Sequence, residues 1–466
     1  MNNKRTVTRA IGPRILLCLA IAASGAANAD LLSAQQAYAK GDYEKAFNDY
    51  RDLAQLGQPT AQYNLAIMYA RGQGVRQSEL NAYAWASLAA DGGYPNGKQL
   101  ADRLRPDLAP GSEKIADDIR SHYGRQALDQ RLMPNIEANE MADVLERTRC
   151  SPIKVFFPEY PIDAQDKGVQ GGVSVEFTVR PDGSARNPRI VYQTPQGLFE
   201  STVRTSLLRS RFSTAVPDSK PIHCTIYYRF TVSSAPVSDY PKLNSLVHKT
   251  FISAEAGDPN AELLYGLLLT GIPQLKRPHR DALPWFLKAA QAGSALAQFQ
   301  VGYSLLTGWG CHCEENKGSD WLRRAAEQDQ PDAQIALAEY ALRGTPDEDS
   351  AKRAKVWLER AAASGNRDGK LYLAALLAAA PYSELRDPSR AHTLIDQVFA
   401  HVEDDPTAFE IRAAAAANSG NFTDAVAFQE KAVSRASRLS WDLAPLEERL
   451  AHYQARQPWY GDLLGF

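Results

Sequence analysis

The chain has 466 residues, with 52 basic and 54 acidic side chains, 44% hydrophobic residues and five cysteines. That length allows about three domains, and the near balance of charge gives no electrostatic reason to invoke nucleic acid. No stretch beyond residue 29 is apolar enough for a membrane span, which needs about 20 residues.

Residues 1–29 read as a signal peptide. Lys4, Arg5, Arg9 and Arg14 precede an apolar run from Ile15 to Ala23, and Ala27, Asn28 and Ala29 form a small-x-small cleavage site before Asp30. Cleavage, export to a Gram-negative periplasm and no stable membrane anchor are expected. Loss of the four basic leader residues moves the net charge from −2 to −6.

Residues 30–133 read as N-terminal helical repeats. After "AYAKGDYEKAFNDYRDLAQLG" comes Ala61, with a small residue five positions on (Ala66), Trp85 at 24 positions, an Ala pair at Ala89 and Ala90, and Gly93. The same register recurs from Ala261 to Trp285, Ala297 to Trp321 and Ala333 to Trp357, the last three units at a strict period of 36. Apolar residues three and four apart place each unit on two antiparallel helices that must stack on neighbours to bury their faces. The tryptophans read as repeat core. The strings "AQYNLAIMYARGQGV" and "NAYAWASLAADGG" resemble the Sel-one-like repeat, a relative of the tetratricopeptide repeat, and residues 37–57 look like an entry unit of tetratricopeptide character. Residues 95–133 suggest two helices divided near Pro106 to Gly111, and 134–154 reads as a linker.

From 155 to 233 the period switches. "GVSVEFTV" alternates Val173, Val175, Phe177 and Val179 against polar residues, the pattern of a half-buried strand. Arg180 to Gly183 supply a turn, a second strand follows over Ala185 to Tyr192, and Phe199, Val203 and Leu207 share one helical face. "PIHCTIYYRFTV" then turns Ile222, Cys224, Ile226, Tyr228, Phe230 and Val232 inward. With Tyr160, Pro161, Ala164, Gly168, Gln170, Gly171, Asp182, Gly183, Ser210 to Phe212 and Pro221, this segment resembles the carboxy-terminal domain of the TonB energy transducers. The resemblance implies a small α+β fold whose relatives bind short segments of outer-membrane receptors by adding a strand to the sheet. Its final strand is the candidate pairing edge, with His223, Thr225, Tyr227, Arg229 and Thr231 on the outward register. The family's uncleaved membrane helix and long Pro-rich stretch have no counterpart here, so energy transduction is not expected.

A second linker spans 234–240, and a C-terminal helical repeat array fills 241–466. Its pattern decays after Gly365, and residues 416–433 again resemble a tetratricopeptide turn. The fold class is thus α+β multidomain, with two α-helical repeat (solenoid) arrays flanking a small domain of strand-strand-helix-strand order.

Cys150 and Cys224 are a possible disulfide pair of an exported chain. For the Cys311, His312, Cys313 cluster the functional readings are a metal site or a redox pair, against the more ordinary expectation of a local disulfide or plain structural cysteines. No metal or cofactor is assigned. There is no Gly-x-Ser-x-Gly elbow, phosphate loop or His-Glu-x-x-His, so no catalytic residue is assigned and the chain is read as no enzyme. The expected function is a periplasmic protein-interaction scaffold. Its partners would be proteins or peptides, with outer-membrane receptors or cell wall among them, and the sheet domain offers a route to a homodimer. The alternatives are an accessory of TonB-type transmembrane transport and a cell-envelope enzyme or cell-wall-binding protein.

Overall fold

The structure is a computed structural model. It describes residues 31–136, 152–167, 169, 171–195, 197–213, 222–230, 241–271, 281–308, 310–343, 346–399 and 405–464. The leader, Cys150, Gly168, Gln170, Pro221, Thr231 and Val232 lie outside these residues.

The first array comprises α1 (Leu31–Ala39), α2 (Tyr43–Gln55), α3 (Pro59–Arg71), α4 (Glu79–Asp91), α5 (Gly97–Leu104), α6 (Ser112–Tyr123) and α7 (Arg125–Arg131). The second runs through α10 (Pro241–Glu255), α11 (Pro259–Gly271), α12 (Leu283–Gln291), α13 (Ala295–Thr307), α14 (Glu315–Glu327), α15 (Pro331–Leu342), α16 (Glu348–Ala363), α17 (Arg367–Ala379), α18 (Pro388–Phe399), α19 (Pro406–Asn418), α20 (Phe422–Arg438) and α21 (Ala444–Gln454).

Each residue of the repeat register has a physical task. The anchor alanines Ala61, Ala297 and Ala333 are fully buried. The glutamine after each reaches back to the previous unit: Gln62 Nε2 donates to Ala54 O at 3.1 Å, Gln298 to Ala290 O at 3.2 Å and Gln334 to Ala326 O at 3.0 Å. These bonds satisfy carbonyls at the end of the preceding helix and fix the stacking. Gly302 on α13 and Gly318 on α14 face each other so closely that a Cβ on either would meet the other's carbonyl at 2.9 Å. Trp85, Trp321 and Trp357 are buried and Trp285 partly so, and a cation three residues on covers three of them: Lys288 on Trp285, Arg324 on Trp321 and Arg360 on Trp357. The glycines that close the units, Gly93, Gly293 and Gly365, all take positive φ. Asp329, the exception to glycine in the register, also takes φ 58°; its carboxylate is held by Arg360 Nη2 at 2.8 Å.

Between the arrays lie β1 (Pro152–Lys154), α8 (Ile162–Asp166), β2 (Gly171–Val179), β3 (Ala185–Thr194), α9 (Glu200–Arg209), β4 (Arg211–Phe212) and β5 (Ile222–Phe230). The expected strand-strand-helix-strand order is present as β2, β3, α9 and β5, an antiparallel sheet of order β3-β2-β5. Two short strands form a separate pair beside it. β1 arises inside the stretch read as a linker, and β4 is the Arg-Phe after Ser210; the two pair antiparallel.

The first array is fastened to the second by the chain leaving α7. Leu132 is buried beside Phe286 and Trp321, and its carbonyl accepts from Trp321 Nε1 at 2.9 Å. Met133 O accepts from Lys317 Nζ at 3.0 Å, and Asn135 O from the His312 backbone N–H at 3.0 Å.

Candidate functional site

The α+β domain is built on its aromatic residues. The rings of Phe199 and Phe230 stack at 4.0 Å, and Tyr160 meets each edge-on at 5.7 and 5.6 Å. Val173, Val175, Phe177, Val179, Cys224, Tyr228 and Phe230 are buried, in the phase that the alternation predicts. At the β2–β3 turn Gly183 takes φ 76°, and its carbonyl accepts from Phe212 N–H at 3.0 Å. A Cβ there would meet Phe212 O at 2.7 Å, so this glycine admits β4.

The two edges of the sheet have different surroundings. β5 pairs with β2 in continuous register from Gly171↔Phe230 to Val179↔Ile222, and among the described residues no strand pairs with its other side. The backbones of His223, Thr225, Tyr227 and Arg229 all lie in this strand, so alternate N–H and C=O groups of β5 point away from β2. The opposite edge, β3, together with α9, is turned to the second array.

That docking face is charged and aromatic. Arg204 on α9 forks onto Asp368 at the start of α17, with contacts of 3.3 and 3.2 Å, and its exposure is only 6%. Arg189 on β3 lies over the rings of Phe299 and Tyr303 on α13, at 4.5 and 4.7 Å. Farther along, Arg186 sits over the Trp441 indole, whose Nε1 donates to Leu208 O at 3.2 Å. Asp442 N–H donates to Asp182 Oδ2 at 2.9 Å, and Arg180 Nη2 to Leu464 O at 2.8 Å. Burial pushes the Asp332 and Glu339 carboxyls up, only partly offset by Arg189. Burial acts on Asp368 in the same direction, but the Arg204 and Arg367 guanidiniums outweigh it and hold that carboxyl below its ordinary value. These residues went unremarked in the sequence. Asp332 and Asp368 stand 36 apart, each just before the anchor position, but an acid in a helix's first turn reads as an ordinary dipole partner.

Cys311 is a free thiol, so the local disulfide with Cys313 does not form. Burial, reinforced by Glu314, pushes its pKa up to about 12, the opposite of a reactive thiolate. Among the described residues no group of His, Cys, Asp and Glu is arranged to hold a metal. The loop instead seats the chain leaving α7, through the His312 N–H and through Glu314 Oε2, which accepts from Asn135 N–H at 3.1 Å. Cys224 is buried and has a partner.

Residues 157–232 match the family model described as Gram-negative bacterial TonB protein C-terminal, and residues 59–94, 259–294, 295–330 and 331–366 match the Sel1 repeat. The chain carries Sel1 repeats on both sides of a TonB C-terminal domain. Alginate biosynthesis protein AlgK of Azotobacter vinelandii is 34% identical over 84 residues, 18% of this chain and 18% of that protein. Protein TonB of Escherichia coli K12 is 37% identical over 62 residues, 13% of this chain and 26% of its own length. Its namesake from Pseudomonas aeruginosa is 32% identical over 76 residues, 16% and 22% of the two chains. The chain therefore spans less than a third of the length of each of these relatives. Among solved structures, a Sel1 repeat protein from Oxalobacter formigenes aligns over 79% of this chain and 98% of its own, with 16% identity and a TM-score of 0.31. A protective antigen of uropathogenic Escherichia coli with an SLR fold covers 91% and 71%, with 17% identity and a TM-score of 0.35.

Proposed function

We propose that this chain is an exported interaction scaffold of the Gram-negative envelope, whose TonB-type domain takes an extended peptide along β5 by strand addition. The divisions are those read from the sequence: leader 1–29, first array 30–133, central domain 155–233 and second array 241–466. The observation that carries the reading is the asymmetry of the sheet. With β3 turned to the second array, β5 is the edge left to offer backbone donors and acceptors. The leader supports export, and among the described residues no helix is long and apolar enough to cross a membrane.

The likeness to Protein TonB favours one second reading, an accessory to outer-membrane transport that recognises receptor segments. Titrating the full chain with labelled extended peptides from such receptors tests it. A saturable signal that is lost when β5 pairing is blocked supports the transport reading. Absence of saturation at millimolar peptide removes it and leaves the scaffold reading to be tested with envelope partners captured by cross-linking.

A further inference from the structure

The face of the second array built from the first helices of successive units, a kind of surface on which solenoids receive ligands, is covered by the chain's own central domain. The first helices of three successive units contribute Phe299 and Tyr303 from α13, Asp332 and Glu339 from α15, and Asp368 and Tyr372 from α17. Two guanidinium groups enter this lining. Arg189 stacks on the α13 rings and faces Asp332 and Glu339; Arg204 forks onto Asp368. Tyr372 hydrogen-bonds Glu339 and so orients that carboxylate. An aromatic plane beside a carboxylate fits a planar guanidinium, which can stack and fork at once, and fits an ammonium poorly.

We infer that this groove is a guanidinium-recognition surface held closed in cis by Arg189 and Arg204, and that release of the central domain opens it to an arginine-bearing extended segment of another protein. The spacing specifies the ligand further. Neighbouring first helices lie about 10 Å apart, and three residues of polyproline II chain, which bring a side chain back to the same face, span about 9 Å, so the fitting motif is Arg-x-x-Arg in that extended conformation. The cis occupant lowers the groove's apparent affinity by the fraction of time the groove is open. The inference stands apart from strand addition at β5, because its readouts are Asp368 on α17 and the exchange of β3 and α9.

The test uses the full chain and a fluorescein-labelled peptide, Gly-Ser-Arg-Gly-Ser-Arg-Gly-Ser. The R189A/R204A chain should bind it at least about tenfold more tightly than the wild type. Adding D368N to that background should remove the gain, and the lysine version of the peptide should not bind. Unimproved binding by a folded R189A/R204A chain, binding that survives D368N, or equal binding of the lysine peptide overturns the inference and makes the contact a permanent interdomain interface. If R189A/R204A does not fold, amide exchange of the wild type decides. Faster exchange of β3 and α9 under saturating arginine peptide supports displacement, and unchanged exchange at millimolar peptide refutes it.

Discussion

Glu262 occupies the place that Gln62, Gln298 and Gln334 fill in the other units. It is buried, and desolvation pushes its carboxyl up; a carboxylate also has no proton to give a carbonyl where an amide would donate. Glu262→Gln should restore the stacking bond and stabilise the second array by about 1 kcal/mol, the usual net worth of one hydrogen bond. A rise of a few degrees in the array's unfolding midpoint is expected, and an unchanged or lowered midpoint would count against the register argument. Asp329 teaches a related lesson. Sequence showed only that glycine was missing from the closing position; the structure shows that positive φ is kept, since a short polar side chain tolerates that region and Arg360 holds it. Cys150 and Cys224 remain a proposed disulfide, closing a loop for which the chain-entropy estimate is about 4 kcal/mol. Thiol titration of the denatured, unreduced chain should find neither residue free, and two free thiols at these positions would refute the pair.

Elements were legible wherever periodicity was strong. The 36-residue register located the paired helices, and strict alternation located β2 and the phase of β5, because helix and strand periods are direct consequences of which side must be buried. The short strands β1 and β4 were not legible: two or three residues carry no period, and their pairing depends on the close approach of Phe212 to Gly183. The small residues of the register make a sharper statement. Gly302 and Gly318 permit α13 and α14 to touch backbone to backbone, and a methyl group at Gly302 would meet Gly318 O and Leu322 N at 2.9 Å. Backbone cannot yield as a flexible side chain does, so Gly302→Ala should destabilise the array by about 1–3 kcal/mol. A thermal melt of that variant within a degree of wild type would contradict the close packing.

At the scale of the whole molecule, the docking of the central domain on the second array lay beyond sequence reading. Arg204 and Asp368 are separated by 164 positions, and a charge pair across such a distance leaves no periodic trace. The sequence placed the small domain between two arrays; the structure docks it on the second, with β3 turned to that array and, among the described residues, no strand on the far side of β5. The far edge of the sheet, β5, is the one proposed to receive the partner. Amide hydrogen exchange of the intact chain, read residue by residue with and without a captured partner peptide, tests it most directly. β3 should be slow in both states, whereas alternate amides between Ile222 and Phe230 should exchange fast alone and become protected when the peptide binds. Protection appearing on β3 or on the helices, with β5 unchanged under saturating peptide, would contradict it.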